Sequence, residues 1–138
     1  MRRLARLVVP ALLLQACAAP LPPALPGMAW VSVAARPGEV LMAQRLDGQR
    51  VADGRFFQLS PGAHSLLLRF QFEQHGGGEL REPQWRTCEL QLRYPDFAAD
   101  QRYQVQAWQH GGYRVAGQLR DAEGRVLAKA RVLRCGTF

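Results

Sequence analysis

From position 28 onward, apolar and polar residues alternate with a period of two, and no stretch of 12 or more residues carries a helical stripe. Only an extended strand puts successive side chains on opposite faces, so this pattern restricts the chain to sheets. In 64–73, Leu66, Leu68, Phe70 and Phe72 fall on one face, with Leu67 the exception on the other. In 85–94, Cys88, Leu90, Leu92 and Tyr94 share a face, while Glu89, Gln91 and Arg93 point away. Tyr103, Val105 and Ala107 alternate with Gln104 and Gln106 in 102–109. In 125–135, Val126, Ala128, Ala130 and Val132 alternate mostly with Lys129 and Arg131. Weaker runs cover 29–35, 40–46, 50–59 and 113–120.

Turn chemistry separates these runs. Asp47-Gly48 suits a tight hairpin and Ser60-Pro61-Gly62 a turn before His64. Gly76-Gly77-Gly78 marks a flexible loop and Glu123-Gly124 another hairpin. The expected fold is all-β: one small sandwich of about seven or eight antiparallel strands over 28–138. With 48% hydrophobic and 21% charged residues, a chain of 138 can build one core.

Part of this domain resembles a PEGA-like module. Leu46-Asp47-Gly48-Gln49-Arg50-Val51, followed by Leu59-Ser60-Pro61-Gly62-Ala63-His64-Ser65-Leu66, is similar to that family's pattern of a DG hairpin and a Pro-Gly turn feeding a buried strand. The resemblance covers 46–72 and lacks the family's Gly-Tyr end of the strand. It implies a surface-associated β module without catalytic residues. The segment 97–103 is similar to the turn before a tyrosine corner, with Tyr103 as the corner residue; a buried tyrosine in any strand is the other reading.

Residues 1–16 have the three parts of a secretory signal: a basic start with Arg2, Arg3 and Arg6, the apolar run LVVPALLL over 7–14, and the small Ala16 before the cut. The apolar run is far shorter than the roughly 20 residues that span a bilayer, and Pro10 weakens it as a helix. Leu14-Gln15-Ala16-Cys17 resembles the lipobox of bacterial lipoproteins, with Gln15 departing from it at its least restricted position. The resemblance implies cleavage before Cys17, a thioether-linked diacylglycerol on that cysteine and an acylated amine. Ala18, rather than Asp, implies by resemblance to Gram-negative lipoproteins an outer-membrane address facing the periplasm. A plain secretory signal with an incidental cysteine is the alternative. Two or more acyl chains hold a protein stably where one does not, so a triacylated Cys17 would suffice as the membrane contact. Residues 17–27 then form the lipidated cysteine and a tether. Four prolines within 18–27 favour an extended polyproline conformation, a stiff spacer of roughly 30 Å at about 3.1 Å per residue.

If Cys17 carries lipid, Cys88 and Cys135 remain, an even number in an oxidising compartment, which points to a disulfide closing 47 residues. Two buried thiols or a redox pair are the alternatives, and no Cys-x-x-Cys motif supports the latter.

The net charge of +7 shrinks once Arg2, Arg3 and Arg6 are cut off, leaving 15 basic against 11 acidic residues, or +4. The arginines are scattered singly, so nucleic acid is not an expected partner. No catalytic residue, metal ligand or cofactor site is assigned. His64, His75 and His110 are isolated in sequence, and the Pro-Gly turn accounts for His64. Gly76–78 lacks the Lys-Ser/Thr of a phosphate loop. Trp30, Trp85 and Trp108 are candidates for a ligand groove, although tryptophans in a sandwich more commonly pack its core or rim; Trp108 is the most suggestive of the three. The expected function is a non-catalytic envelope interaction or structural module contacting an envelope protein or peptidoglycan. The alternatives are a sugar- or lipid-binding module and an accessory lipoprotein of a secretion apparatus. The loops 74–84 and 109–112, or a sheet edge, are the expected contact sites.

Cys17→Ser should abolish labelling by radioactive palmitate and release the protein from membranes. Unchanged labelling of that variant would refute the lipid anchor.

Overall fold

The computed structural model describes residues 19–75 and 82–137. Cys17 and the glycines 76–78 lie outside the described residues. Ten strands and no helix make up the described chain: β1 (Ala29–Ala34), β2 (Val40–Leu46), β3 (Gln49–Arg50), β4 (Phe56–Leu59), β5 (Gly62–Gln74), β6 (Gln84–Phe97), β7 (Arg102–His110), β8 (Arg114–Asp121), β9 (Val126–Lys129) and β10 (Arg131–Gly136). They form two five-stranded sheets, ordered β4-β1-β7-β8-β9 and β10-β6-β5-β2-β3. The sheets pack as a small sandwich-like domain, with Ala29, Val31, Phe57, Leu66, Leu68, Phe70, Leu90, Leu92, Val105 and Leu119 in one buried cluster.

Three expectations change. The run 50–59 divides into β3 and β4, because the chain leaves one sheet after Arg50 and enters the other at Phe56. The run 125–135 divides likewise, since β9 pairs with β8 in one sheet and β10 with β6 in the other. These two divisions turn eight runs into ten strands. The pairing is also not wholly antiparallel. β1 lies between β4 and β7 and runs parallel to β7, from Trp30 beside Arg102 to Ala34 beside Gln106. Parallel neighbours need a long connection, here supplied by β2 to β6.

The longest pairing is β5 with β6, from Gly62 opposite Phe97 to Gln74 opposite Gln84. It sets Leu66 against Leu92, Leu68 against Leu90 and Phe70 against Cys88, all fully buried. Asp47 and Gly48 both have positive φ, 48° and 83°, which is the two-residue hairpin conformation that matches strand twist. Tyr94 and Tyr103 each meet Phe97 edge-on at 5.0 and 5.1 Å. The Tyr103 hydroxyl accepts a hydrogen bond from the Ala98 N–H at 2.9 Å, the bond of a tyrosine corner.

Cys88 and Cys135 are disulfide-bonded cross-strand partners, with Cα atoms 4.1 Å apart. β10 needs this bond more than any other strand. Its residues Arg131 to Cys135 are all exposed, so it gains little from burial. The bond and the Arg134–Glu89 fork, at 2.7 and 3.0 Å, hold it on β6.

Residues 19–25 form neither strand nor helix and lead into a turn at Pro26-Gly27, and the segment does not project away from the domain. The Arg55 guanidinium donates to the Ala19 carbonyl at 2.7 Å. The Leu25 N–H donates to Gln58 Oε1 at 3.0 Å and the Gly27 N–H to Asp100 Oδ1 at 2.7 Å. The proline-rich segment is therefore laid against the sandwich beside its edge strand β4.

Replacing both Cys88 and Cys135 by alanine should lower the unfolding free energy by about 2–4 kcal/mol, near the loop-entropy limit of about 4 for this loop. Urea denaturation measures it. Alkylation of the denatured, unreduced protein should leave both positions unlabelled; labelling of both would show that no bond forms.

Candidate functional site

A cluster of chemistry-bearing side chains forms where the β2–β3 hairpin meets the start of β5. Asp47 Oδ1 accepts the Ser65 N–H at 2.8 Å, and Asp47 Oδ2 lies 2.6 Å from His64 Nδ1. His64 Nε2 lies 2.7 Å from the Ser60 carbonyl oxygen and 3.3 Å from Ser60 Oγ. Serine, histidine and aspartate in one chain of contacts have the composition of a nucleophilic triad, which needs a free imidazole lone pair facing the hydroxyl. Here both ring nitrogens are engaged at hydrogen-bond distance, Nδ1 by the Asp47 carboxylate and Nε2 by the Ser60 carbonyl oxygen. The nearer acceptor of Nε2 is the carbonyl and not the hydroxyl. The cluster therefore acts as a latch: it ties the Asp47-Gly48 hairpin to the Ser60-Pro61-Gly62 turn.

The latch fixes the ionisation of Asp47. The hydrogen bond from the Ser65 N–H, then the one from His64, hold its carboxyl below the usual carboxylate range. The carboxyl of Asp53 is also lowered, to about 2, by the Arg55 side chain and then by the Arg55 N–H.

The other sequence candidates stay apart. His75 follows the end of β5 and His110 ends β7, and no group of three metal-ligating side chains exists among the described residues. Trp85 is exposed at the start of β6. Trp30 lies on the outer face of its sheet but is only 6% exposed, stacked on Phe56 at 4.2 Å, with Arg102 over its ring at 5.8 Å. Trp108 is on the same outer face, six residues farther along β7 than Trp30's partner Arg102, roughly 20 Å away. The three tryptophans form no row. Of the loops, 76–81 lies outside the described residues. The 109–112 turn is closed by Gln109 Nε2 donating to the Gly112 carbonyl. Exposed Tyr113 beside it lies 5.5 Å from the Arg86 guanidinium, which brings this loop to the β5–β6 end of the domain.

Trp108 does have a setting. With Arg36, Gln106, Gln118 and Arg120 it lines an open groove of about 360 Å³. Gln106 and Gln118 are cross-strand partners. Gln118, its amide turned to accept, takes Arg120 Nη2 at 2.7 Å and Nε at 2.9 Å. Arg120 also donates to the Gly124 carbonyl at 2.7 Å, and Gln106 to Gln104 Oε1 at 2.7 Å. Sequence reading singled out Trp108 but not Gln118, Arg120 or Arg36. Gln118 stands opposite Gln106 because the turn between β7 and β8 takes three residues, 111–113, one more than the Gly111-Gly112 pair suggests, and the contribution of Arg36 depends on the β1–β7 pairing, which no local signal reveals.

No protein family, curated protein or solved structure matches this chain.

Because the carboxyl of Asp47 has a lowered folded pKa, its stabilising contacts are fully present above the unfolded value of about 3.9 and are lost as pH falls below it. Asp47→Asn should therefore lower the unfolding free energy at pH 7, read from urea denaturation, by about 1 kcal/mol for an exposed charged hydrogen-bond pair. The difference from the wild type should shrink by pH 3. Equal differences at both pH values would refute the ionised latch.

Proposed function

We propose that this protein is an outer-membrane lipoprotein, anchored through Cys17, whose periplasmic β domain works by contact with another envelope component and not by catalysis. The observation that carries the reading is the run 7–17, an apolar signal ending in Leu-Gln-Ala-Cys. A small sandwich closed by a disulfide suits an oxidising compartment. No helix among the described residues is long and apolar enough to cross a membrane, so the reading assigns the membrane contact to the lipid.

The contact part of the reading rests on β10. It is the end strand of its sheet, exposed along most of its length, with Val132 38% and Leu133 43% exposed. A free edge with apolar side chains can take an added strand from a partner. The bulge between Val132 and Arg134 and the flanking arginines limit indiscriminate pairing, as protected edges do.

A second reading, a glycan- or lipid-headgroup-binding module, is favoured by the Trp108 groove. An indole beside two carboxamides and two guanidiniums offers a stacking surface and planar hydrogen-bond donors for vicinal hydroxyls or an anionic group.

Photocrosslinking in intact cells separates the two. A crosslinker in place of Leu133 should give a discrete protein adduct, and one in place of Trp108 should not. Adducts only at position 108, carrying glycan or lipid, would replace the contact reading by the second one. Hydrolase activity in the purified protein that is lost on changing His64 would overturn both.

A further inference from the structure

On the anchor reading above, we infer that the proline-rich segment is not a spacer and that the domain lies side-on against the bilayer, with its β3–β4 edge at the headgroups and its β9–β10 edge turned away. The argument is one of reach. The first described residue, Ala19, is bound to Arg55, and the chain stays bound at Leu25 and Gly27 before entering β1. Only one residue, Ala18, separates Ala19 from Cys17. Two Cα–Cα steps of 3.80 Å put the lipidated residue within about 8 Å of Ala19, against about 30 Å for a free segment. A cysteine whose acyl chains are in the membrane therefore draws the surface around Arg55 onto it.

The topology then dictates which parts face which way. Arg55 lies between β3 and β4, the end strands of the two sheets on one side of the sandwich, where β4 packs against β2. β9 and β10 are the end strands on the other side, where β9 packs against β6. Five strands at about 4.8 Å put the far edge roughly 20 Å farther from the membrane. The occupant of the β3–β4 side is thus a lipid surface, set there by chain length and not by charge. The Arg55 guanidinium is already forked onto Asp53, at 2.6 to 3.1 Å. The placement also leaves the exposed strand β10 open to the periplasm.

The test uses the full lipidated chain in phosphatidylethanolamine–phosphatidylglycerol vesicles, with a fluorophore on Arg50→Cys (β3) or Leu133→Cys (β10) and a nitroxide quencher on the headgroups. Flotation reports the anchor and quenching reports the placement. Strong quenching at position 50, weak quenching at 133 and persistence in 1 M salt support the inference. Flotation with equal weak quenching at both positions overturns it and leaves the anchor standing. Failure to float overturns both. In Gln58→Ala/Asp100→Gly, two ties of the segment are removed, and glycine accepts the φ of 60° at position 100. Quenching at position 50 should fall at least twofold in this variant, with its circular dichroism retained. Unchanged quenching would show that docking does not set the placement.

Discussion

The register between β5 and β6 decides what else this domain can form. Side chains on a strand alternate between faces, so a slip of one residue would turn Leu66, Leu68, Phe70 and Phe72 out to solvent together. Their burial, about 1.5–3 kcal/mol for each, makes every other register far worse. The same register points Cys88 inward opposite Phe70, and it leaves the far side of β6 free for β10. The disulfide is thus a consequence of the hairpin: Cys135 can reach Cys88 only where β10 is paired with β6. The Asp47–His64 latch depends on it too, because both partners lie where β2 leaves β5 at the lower end of that sheet.

The long strands were legible because a single local rule, alternation, generates them. The 64–73 and 85–94 runs need no knowledge of their neighbours, and β2 was bounded at Val40 and Leu46 as found. The missed features all depend on contacts distant in sequence. At Ala130 the chain moves from one sheet to the other, donating its N–H to the Gly117 carbonyl at 2.8 Å. Alternation runs on almost unbroken through that point, so 125–135 reads as one strand. The parallel β1–β7 pair joins residues more than 70 positions apart, with no turn to betray it. The cysteine pairing was legible for a different reason: it came from counting thiols, not from geometry.

The candidate site divides in the same way. His64 belonged to its turn, as local chemistry implied, but its second partner, Asp47, sits 17 residues earlier in another hairpin. The composition of 18–27 carried no sign of where the segment goes. Proline removes the N–H groups that would pair with β4, so docking must use the few donors left, at Leu25 and Gly27. Their acceptors, Gln58 and Asp100, lie 33 and 73 residues away.

Arginine explains how the thinly buried parts of the fold keep their geometry. Arg55 with Asp53, Arg125 with Asp121 and Arg134 with Glu89 are the ion pairs under 3 Å that arginine makes among the described residues, and each stands at a turn or an edge strand. Arg125 and Asp121 close the β8–β9 turn, where Asp121 also accepts the Glu123 and Arg125 N–H groups at 3.1 and 2.9 Å. Exposed pairs contribute only about 0–1 kcal/mol each, so they do not hold the fold against unfolding. A guanidinium fork fixes direction as well as distance, which an ammonium group does not. These pairs therefore set the shape of turns and edges that the core, on its inner faces, does not reach. On the membrane-apposed reading the same division of labour has a use: the core and the disulfide supply stability, while the arginine-pinned edges present one rigid side to the lipid and the other to a partner.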